Sequence, residues 1–138
     1  VESGVAASGG GLSHFAATLA HGMLELGLLQ ENIHTLRRTY GQRHDDVADL
    51  LRSQFSDTVQ FTPPGGGYFY WLTLADGANT DALLPAARKT GVSYRPGAAF
   101  SASGAFTDAL RISISLYETD ELAEGIRRLG RATQNSQR

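Results

Sequence analysis

Cysteine is absent from the 138 residues, so neither a disulfide nor a thiolate nucleophile nor a cysteine-based metal site is available to this chain. That absence suits a reducing compartment, and a cytoplasmic location is expected. Lysine is almost missing too: Lys89 is the only one, and every other basic residue is arginine. Any chemistry that needs a side-chain primary amine therefore has one candidate. No basic block is long enough to cover a phosphate backbone, and 12 basic against 14 acidic residues leave a formal charge of −2, so nucleic acid is not an expected partner. Long apolar runs are lacking as well. The richest, Phe15 to Leu29, is broken by His21 and Glu25, and neither a membrane span nor a secretory segment is indicated. What remains, with 41% hydrophobic and 19% charged residues, is the composition of one ordinary globular domain. The first residue is Val1 rather than Met, which leads us to expect a piece of a longer chain.

Residues 1–11, VESGVAASGGG, are small and flexible in composition and read as an arm or loop. From Leu12, the apolar residues Phe15, Leu19, Met23 and Leu26 recur at helical spacing and share one face of a helix ending near Gly27. Ile33, Leu36, Tyr40, Val47, Leu50, Leu51 and Phe55 continue that rhythm among charged residues. They predict a second helix, joined to the first near Leu28 to Asn32, in which Gly41 costs about 1 kcal/mol relative to alanine.

Strand character follows. Val59 to Thr62 is a short β-prone run ended by Pro63-Pro64, and Tyr68 to Leu74 is an aromatic, nearly continuous apolar strand expected to be covered on both faces. After Asp76-Gly77, Asn79 or Thr80 caps a helix running to about Thr90, with Gly91 as its stop; Pro85 implies a later start near Leu84 or a kink. Val92 to Tyr94 reads as a short strand and Pro96-Gly97 as a turn. Leu110 to Leu116 is an alternating strand with Leu110, Ile112, Ile114 and Leu116 on one face and Arg111 and the serines on the other. A last helix has Glu118, Asp120 and Glu121 at its start, Leu122, Ile126 and Leu129 facing inward, and Arg127, Arg128 and Arg131 towards its end. The expected class is α/β: a small sheet covered by helices and preceded by two helices.

His14, His21, His34 and His44 show no HExxH or close paired spacing, so a metal site is not expected, and there is no GxSxG elbow for a serine hydrolase. Gly9 to Gly11 is either a flexible loop entering a helix or a close backbone contact for an anionic ligand. Gly65 to Gly67 reads as a turn into the aromatic strand or as a similar contact. Arg111 stands out most. A permanently charged guanidinium in the middle of an apolar strand needs either an internal Asp or Glu or a solvated cleft where its fork receives a carboxylate.

Several blocks together resemble a known family. Pro64-x-Gly-Gly-Tyr-Phe-Tyr-Trp-Leu72, Gly91-Val-Ser-Tyr-Arg-Pro-Gly-x-x-Phe100, Leu110-Arg-Ile-Ser-Ile-Ser-Leu116 and the closing Glu121-x-x-x-Gly-Ile-Arg-Arg-Leu129 are similar to the C-terminal part of class I/II (fold type I) pyridoxal-phosphate aminotransferases. The aminoadipate- and kynurenine-aminotransferase-like branch fits best, and Leu36-Arg37-x-x-Tyr40-x-x-Arg43-x-Asp45 resembles the helix leading into that family's small domain. The resemblance implies connecting helices over 12–57, a small domain over 58–134 and a tail at 135–138. It implies that Arg111 binds the substrate α-carboxylate, that Gly66 and Gly67 lie beside the substrate with Tyr68 near its side-chain pocket, and that the segment holding Gly10, Gly11 and Ser13 approaches the partner subunit's site in a homodimer. It further implies pyridoxal 5'-phosphate as cofactor, and an amino acid and a 2-oxo acid as substrates.

The departure from the family lies in Lys89. It falls in the predicted Ala82 to Thr90 helix, where the family has no catalytic residue, and reads as a solvated surface lysine. The Schiff-base lysine and the phosphate-binding residues would lie upstream of Val1, so the chain by itself is expected to be inactive and not to retain the cofactor. Two other readings remain: the effector-sensing, aminotransferase-like half of a winged-helix transcription regulator, and a stand-alone α/β ligand-binding module.

Overall fold

The computed structural model describes residues 13–135. Gly10 and Gly11, with the rest of the glycine-rich start, lie outside the described residues, as does the end of the predicted tail. The chain divides into two units between Thr39 and Tyr40.

In the first unit, α1 spans His14–Glu25 and α2 begins at Leu28. Ser13 caps α1, its hydroxyl accepting from the Ala16 amide at 3.4 Å, and Gly27, at φ +73°, makes the turn between the helices. The junction is thus shorter than the predicted Leu28 to Asn32, because one left-handed glycine suffices to reverse out of α1. Of the apolar stripe of α1, Phe15 is 80% exposed, Leu19 and Leu26 are exposed as well, and Met23 is half-buried.

The second unit holds the rest of α2, which ends at Phe55, followed by β1 (Val59–Gln60), β2 (Phe69–Leu74), α3 (Thr80–Lys89), β3 (Arg95–Pro96), a 3-10 turn over Gly97–Phe100, β4 (Ala109–Ser113) and α4 (Thr119–Asn135). The four strands form an antiparallel sheet in the order β1-β2-β4-β3. Its core joins Val47, Leu51 and Phe55 of α2 to Tyr70, Leu72 and Leu74 of β2, Leu110 and Ile114, Leu83 and Ala87 of α3, and Leu122, Ile126 and Leu129 of α4. The α/β class read from the sequence holds. No helix among the described residues is long and apolar enough to cross a membrane.

Several local expectations need correction. β2 is covered on one face only: Tyr70, Leu72 and Leu74 are buried, whereas Phe69 and Trp71 are 43% and 37% exposed. α3 starts at Thr80 despite Pro85, because the Asn79 side chain accepts from the Asp81 and Ala82 amides at 2.9 and 3.1 Å and so fixes the first turn. Asp81, whose carbonyl loses its usual helical donor at Pro85, is an exposed residue.

Val92 to Tyr94 forms no strand. The Gly91 amide bonds the Arg88 carbonyl and the Val92 amide bonds the Ala87 carbonyl, the paired bonds of a Schellman helix end with Gly91 at φ +80°. Pairing with β4 begins only at Arg95, and Pro96 belongs to β3 rather than to a turn. β4 stops at Ser113 rather than at Leu116 because the carbonyls beyond it are taken by side chains of α2: Arg43 donates to Ile114 and Ser115, and the Tyr40 hydroxyl donates to Ser115. Leu116, expected inward, is 76% exposed as a result.

Candidate functional site

Antiparallel pairing fixes which side chains share the open face of the sheet. Arg111 on β4 lies directly opposite Trp71 on β2 and opposite Arg95 on β3, while Phe69 is one diagonal step away, opposite Ser113. Since Tyr70, Leu72 and Leu110 point to the helices, Phe69, Trp71 and Arg111 point away from them. The sheet therefore presents a cation among aromatic rings.

Arg111 is partly exposed, and no carboxylate among the described residues pairs with it. The internal salt bridge that the sequence left open is not formed with any of them. Two phenyl rings flank the group instead: the guanidinium carbon lies 3.9 Å from the Phe69 ring centroid and 4.4 Å from that of Phe100. Both distances are well inside the range of cation–π attraction. Trp71 makes edge contacts with Phe100 and Phe106, each at 5.7 Å between centroids, so Phe100 is itself braced.

The backbone that delivers Phe100 is tightly constrained. A Cβ at Gly97 would collide with the Phe106 carbonyl oxygen and come within 2.9 Å of the Ala109 carbonyl, so only glycine lets the 3-10 turn lie against this loop. Phe106 adopts φ +62°, a left-handed conformation rarely held by a bulky residue, and its carbonyl accepts from the Ala109 amide at the start of β4.

The other predicted residues are organised differently. Gly67 has φ +87°, and its carbonyl accepts from His44 Nε2 at 3.1 Å, while the buried Nδ1 has no hydrogen-bond partner among the described residues. No described atom lies close to where a side chain at Gly66 would be. The Tyr68 ring packs edge-on against Tyr40 of α2 at 4.8 Å. No hydrogen bond or ring contact joins Tyr68 to Arg111 among the described residues. Ser13 is an N-cap in the first unit.

Two features were not singled out from the sequence. Arg43, buried on α2, donates to the Ile114 and Ser115 carbonyls and pairs with Glu118 at 3.0 Å, holding the segment just beyond Arg111. Its place four residues before Val47, on the stripe that runs through Leu51 and Phe55, is the signal that marks it as buried. Phe100 was visible only as part of a motif. Elsewhere, a groove of about 820 Å³ between α4 and the Gly91–Ser93 segment is lined by Ile112, Tyr117, Ile126 and Glu124, and none of the predicted site residues borders it. There Arg128, Arg127 and Arg131 hydrogen-bond Glu124 and hold its carboxyl down to about 2. Burial raises the hydroxyl pKa of Tyr94 and of Tyr70, which donate to the Thr80 and His44 carbonyls.

No family model matches the chain. Among curated proteins it is 33% identical over 114 residues to a 2-aminoadipate transaminase of Thermus thermophilus, covering 83% of this chain and 28% of that protein. It is also 33% identical over 115 residues to aromatic-amino-acid aminotransferase 1 of Thermococcus litoralis, with the same coverage of each. Among solved structures it superposes on the kynurenine aminotransferase of Pyrococcus horikoshii with a TM-score of 0.79 and 32% identity, covering 84% of this chain and 29% of that one. The chain thus spans less than a third of the length of these relatives, in their C-terminal part.

Proposed function

On the premise that the chain belongs with the fold type I aminotransferases, whose C-terminal part it matches, we propose that it serves as the C-terminal domain of a pyridoxal-phosphate-dependent aminotransferase, exchanging an amino group between an amino acid and a 2-oxo acid. In this reading Arg111 receives the substrate α-carboxylate. One observation carries it: on the open sheet face the guanidinium rests against two phenyl rings, and no acid among the described residues takes up its charge or its N–H fork. A bidentate grip fixes both the position and the plane of the carboxylate and so orients the rest of the amino acid for reaction.

The residues described here do not fit the cofactor by themselves. The single side-chain amine, Lys89, is exposed at the end of α3, a helix packed on the covered side of the sheet, away from the face that carries Arg111. The isolated chain is expected to give neither the absorbance of a bound cofactor nor turnover. Gly66, Gly67 and Tyr68 remain proposed neighbours of the substrate; Gly10, Gly11 and Ser13 remain proposed contributors at a homodimer interface.

The test is Arg111→Ala in the full-length enzyme. Leaving a substrate carboxylate without its partner should lower kcat/KM by about thirty-fold to a few thousand-fold, equivalent to about 2–5 kcal/mol. An unchanged kcat/KM would remove Arg111 from the site. A helix-turn-helix segment in the complete reading frame, with no turnover, would favour the regulator instead.

A further inference from the structure

We propose that Phe69 and Phe100 are positioning residues for Arg111: their rings fix the guanidinium without neutralising it and leave its N–H rim free for the substrate carboxylate. The inference rests on the carboxylate-binding reading of Arg111.

An arginine on an open face with no acid among the described residues to pair with faces two opposing demands. It must be immobilised to act as a geometric clamp, yet the usual means of immobilising it, a carboxylate partner, would occupy the donors that the clamp needs. Ring stacking meets both demands. The broad faces of a guanidinium are weakly hydrated and stack on aromatic rings, whereas its five N–H donors lie in its own plane. Centroid distances of 3.9 Å to Phe69 and 4.4 Å to Phe100 put both rings in direct contact with the group. Side-chain freedom is then lost before the ligand arrives rather than on binding, which raises affinity by preorganisation.

The rings are themselves held in place. Phe69 belongs to β2, in register with β4, and Phe100 sits on the 3-10 turn that Gly97 seats against Phe106 and Ala109, with Trp71 against its edge. A side chain of equal bulk without a π face would fill the space but not attract the cation. That distinction separates positioning from mere packing.

The experiment is a set of kinetic cycles in the full-length enzyme. Phe100→Leu and Phe69→Leu should each raise KM for the amino acid about two- to thirty-fold, with a smaller change in kcat, and Phe100→Tyr should restore most of the loss. In an Arg111→Ala background the same leucine substitutions should have no further effect. Equal fold-changes in both backgrounds, or a tyrosine variant as impaired as the leucine one, would overturn the proposal while leaving Arg111 in place. An Arg111→Ala variant with unchanged kcat/KM would instead overturn the carboxylate reading beneath it. A second measurement does not depend on turnover. In the 138-residue chain the Arg111 δ-methylene and Nε–H protons should resonate upfield through the ring currents of both phenyls and move downfield in Phe100→Leu. Ordinary shifts in the unsubstituted chain would overturn the proposal.

Discussion

On the helix side of the sheet, the guanidinium of Arg43 is buried and commits its donors to two backbone carbonyls and to Glu118. On the open side, that of Arg111 touches two phenyl rings and pairs with no described acid. The same side chain thus does opposite work within a few residues of the same stretch of chain. The first closes the end of a strand, and the second is kept in readiness. The contrast follows from what surrounds each group. A buried cation must be hydrogen-bonded to be tolerated at all, whereas a half-exposed one can rest on apolar rings because water still reaches its rim.

The comparison breaks most directly at neighbouring positions on β2. Leu72, fully buried, should lose about 2–5 kcal/mol on replacement by alanine, read as a lower urea midpoint. Trp71→Ala removes a much larger side chain from the open face and should cost less. The reverse ranking would mean that the open face is part of the folding core. Next comes the arginine pair itself. Arg43→Met strips two carbonyls of a charged donor and should cost about 1.5–3 kcal/mol, whereas Arg111→Met should stay within about 1 kcal/mol in stability. Equal losses would erase the distinction drawn between them.

The smallest expected effect is at Glu124, which its three arginines hold at about 2 against an ordinary 4.5. Because the folded value is the lower one, the stabilisation is complete above about 4.5, declines as the pH falls towards 2, and is absent below that. Melting temperatures of the unsubstituted chain and of Glu124→Gln should therefore converge across that window. The gap above it should shrink in salt, since these pairs are partly exposed.

How far the sequence carried the fold depends on the element. Helical periodicity placed α1, α2 and α4 because 3.6-residue spacing survives any context. Tyr68 to Leu74 was less transparent: seven residues that are nearly all apolar hide the alternation that leaves Phe69 and Trp71 uncovered, since aromatic character suits a core and a cation's cradle equally well. Leu116 misled for a related reason. Its parity matched Leu110 and Ile112, but α2 captures the carbonyls of Ile114 and Ser115 and ends the strand first. At the candidate site Arg111 was legible, being a permanent charge in an apolar run that requires an explanation. Phe100 was not, because its approach depends on a turn between elements and on a close backbone passage. Arg43 was visible only within a motif, and its burial was missed because it read as one charge among many on the helix, although it shares the buried stripe of Val47 and Leu51.

The close passage at Gly97 also limits redesign. A larger residue at this one position would push the 3-10 turn away from Phe106 and Ala109 and so shift the Phe100 ring off the Arg111 guanidinium. Variation in what the domain accepts is therefore better sought in the rings on the open sheet face than at Gly97, whose hydrogen atom is the spacer that sets how near the turn can lie to the start of β4.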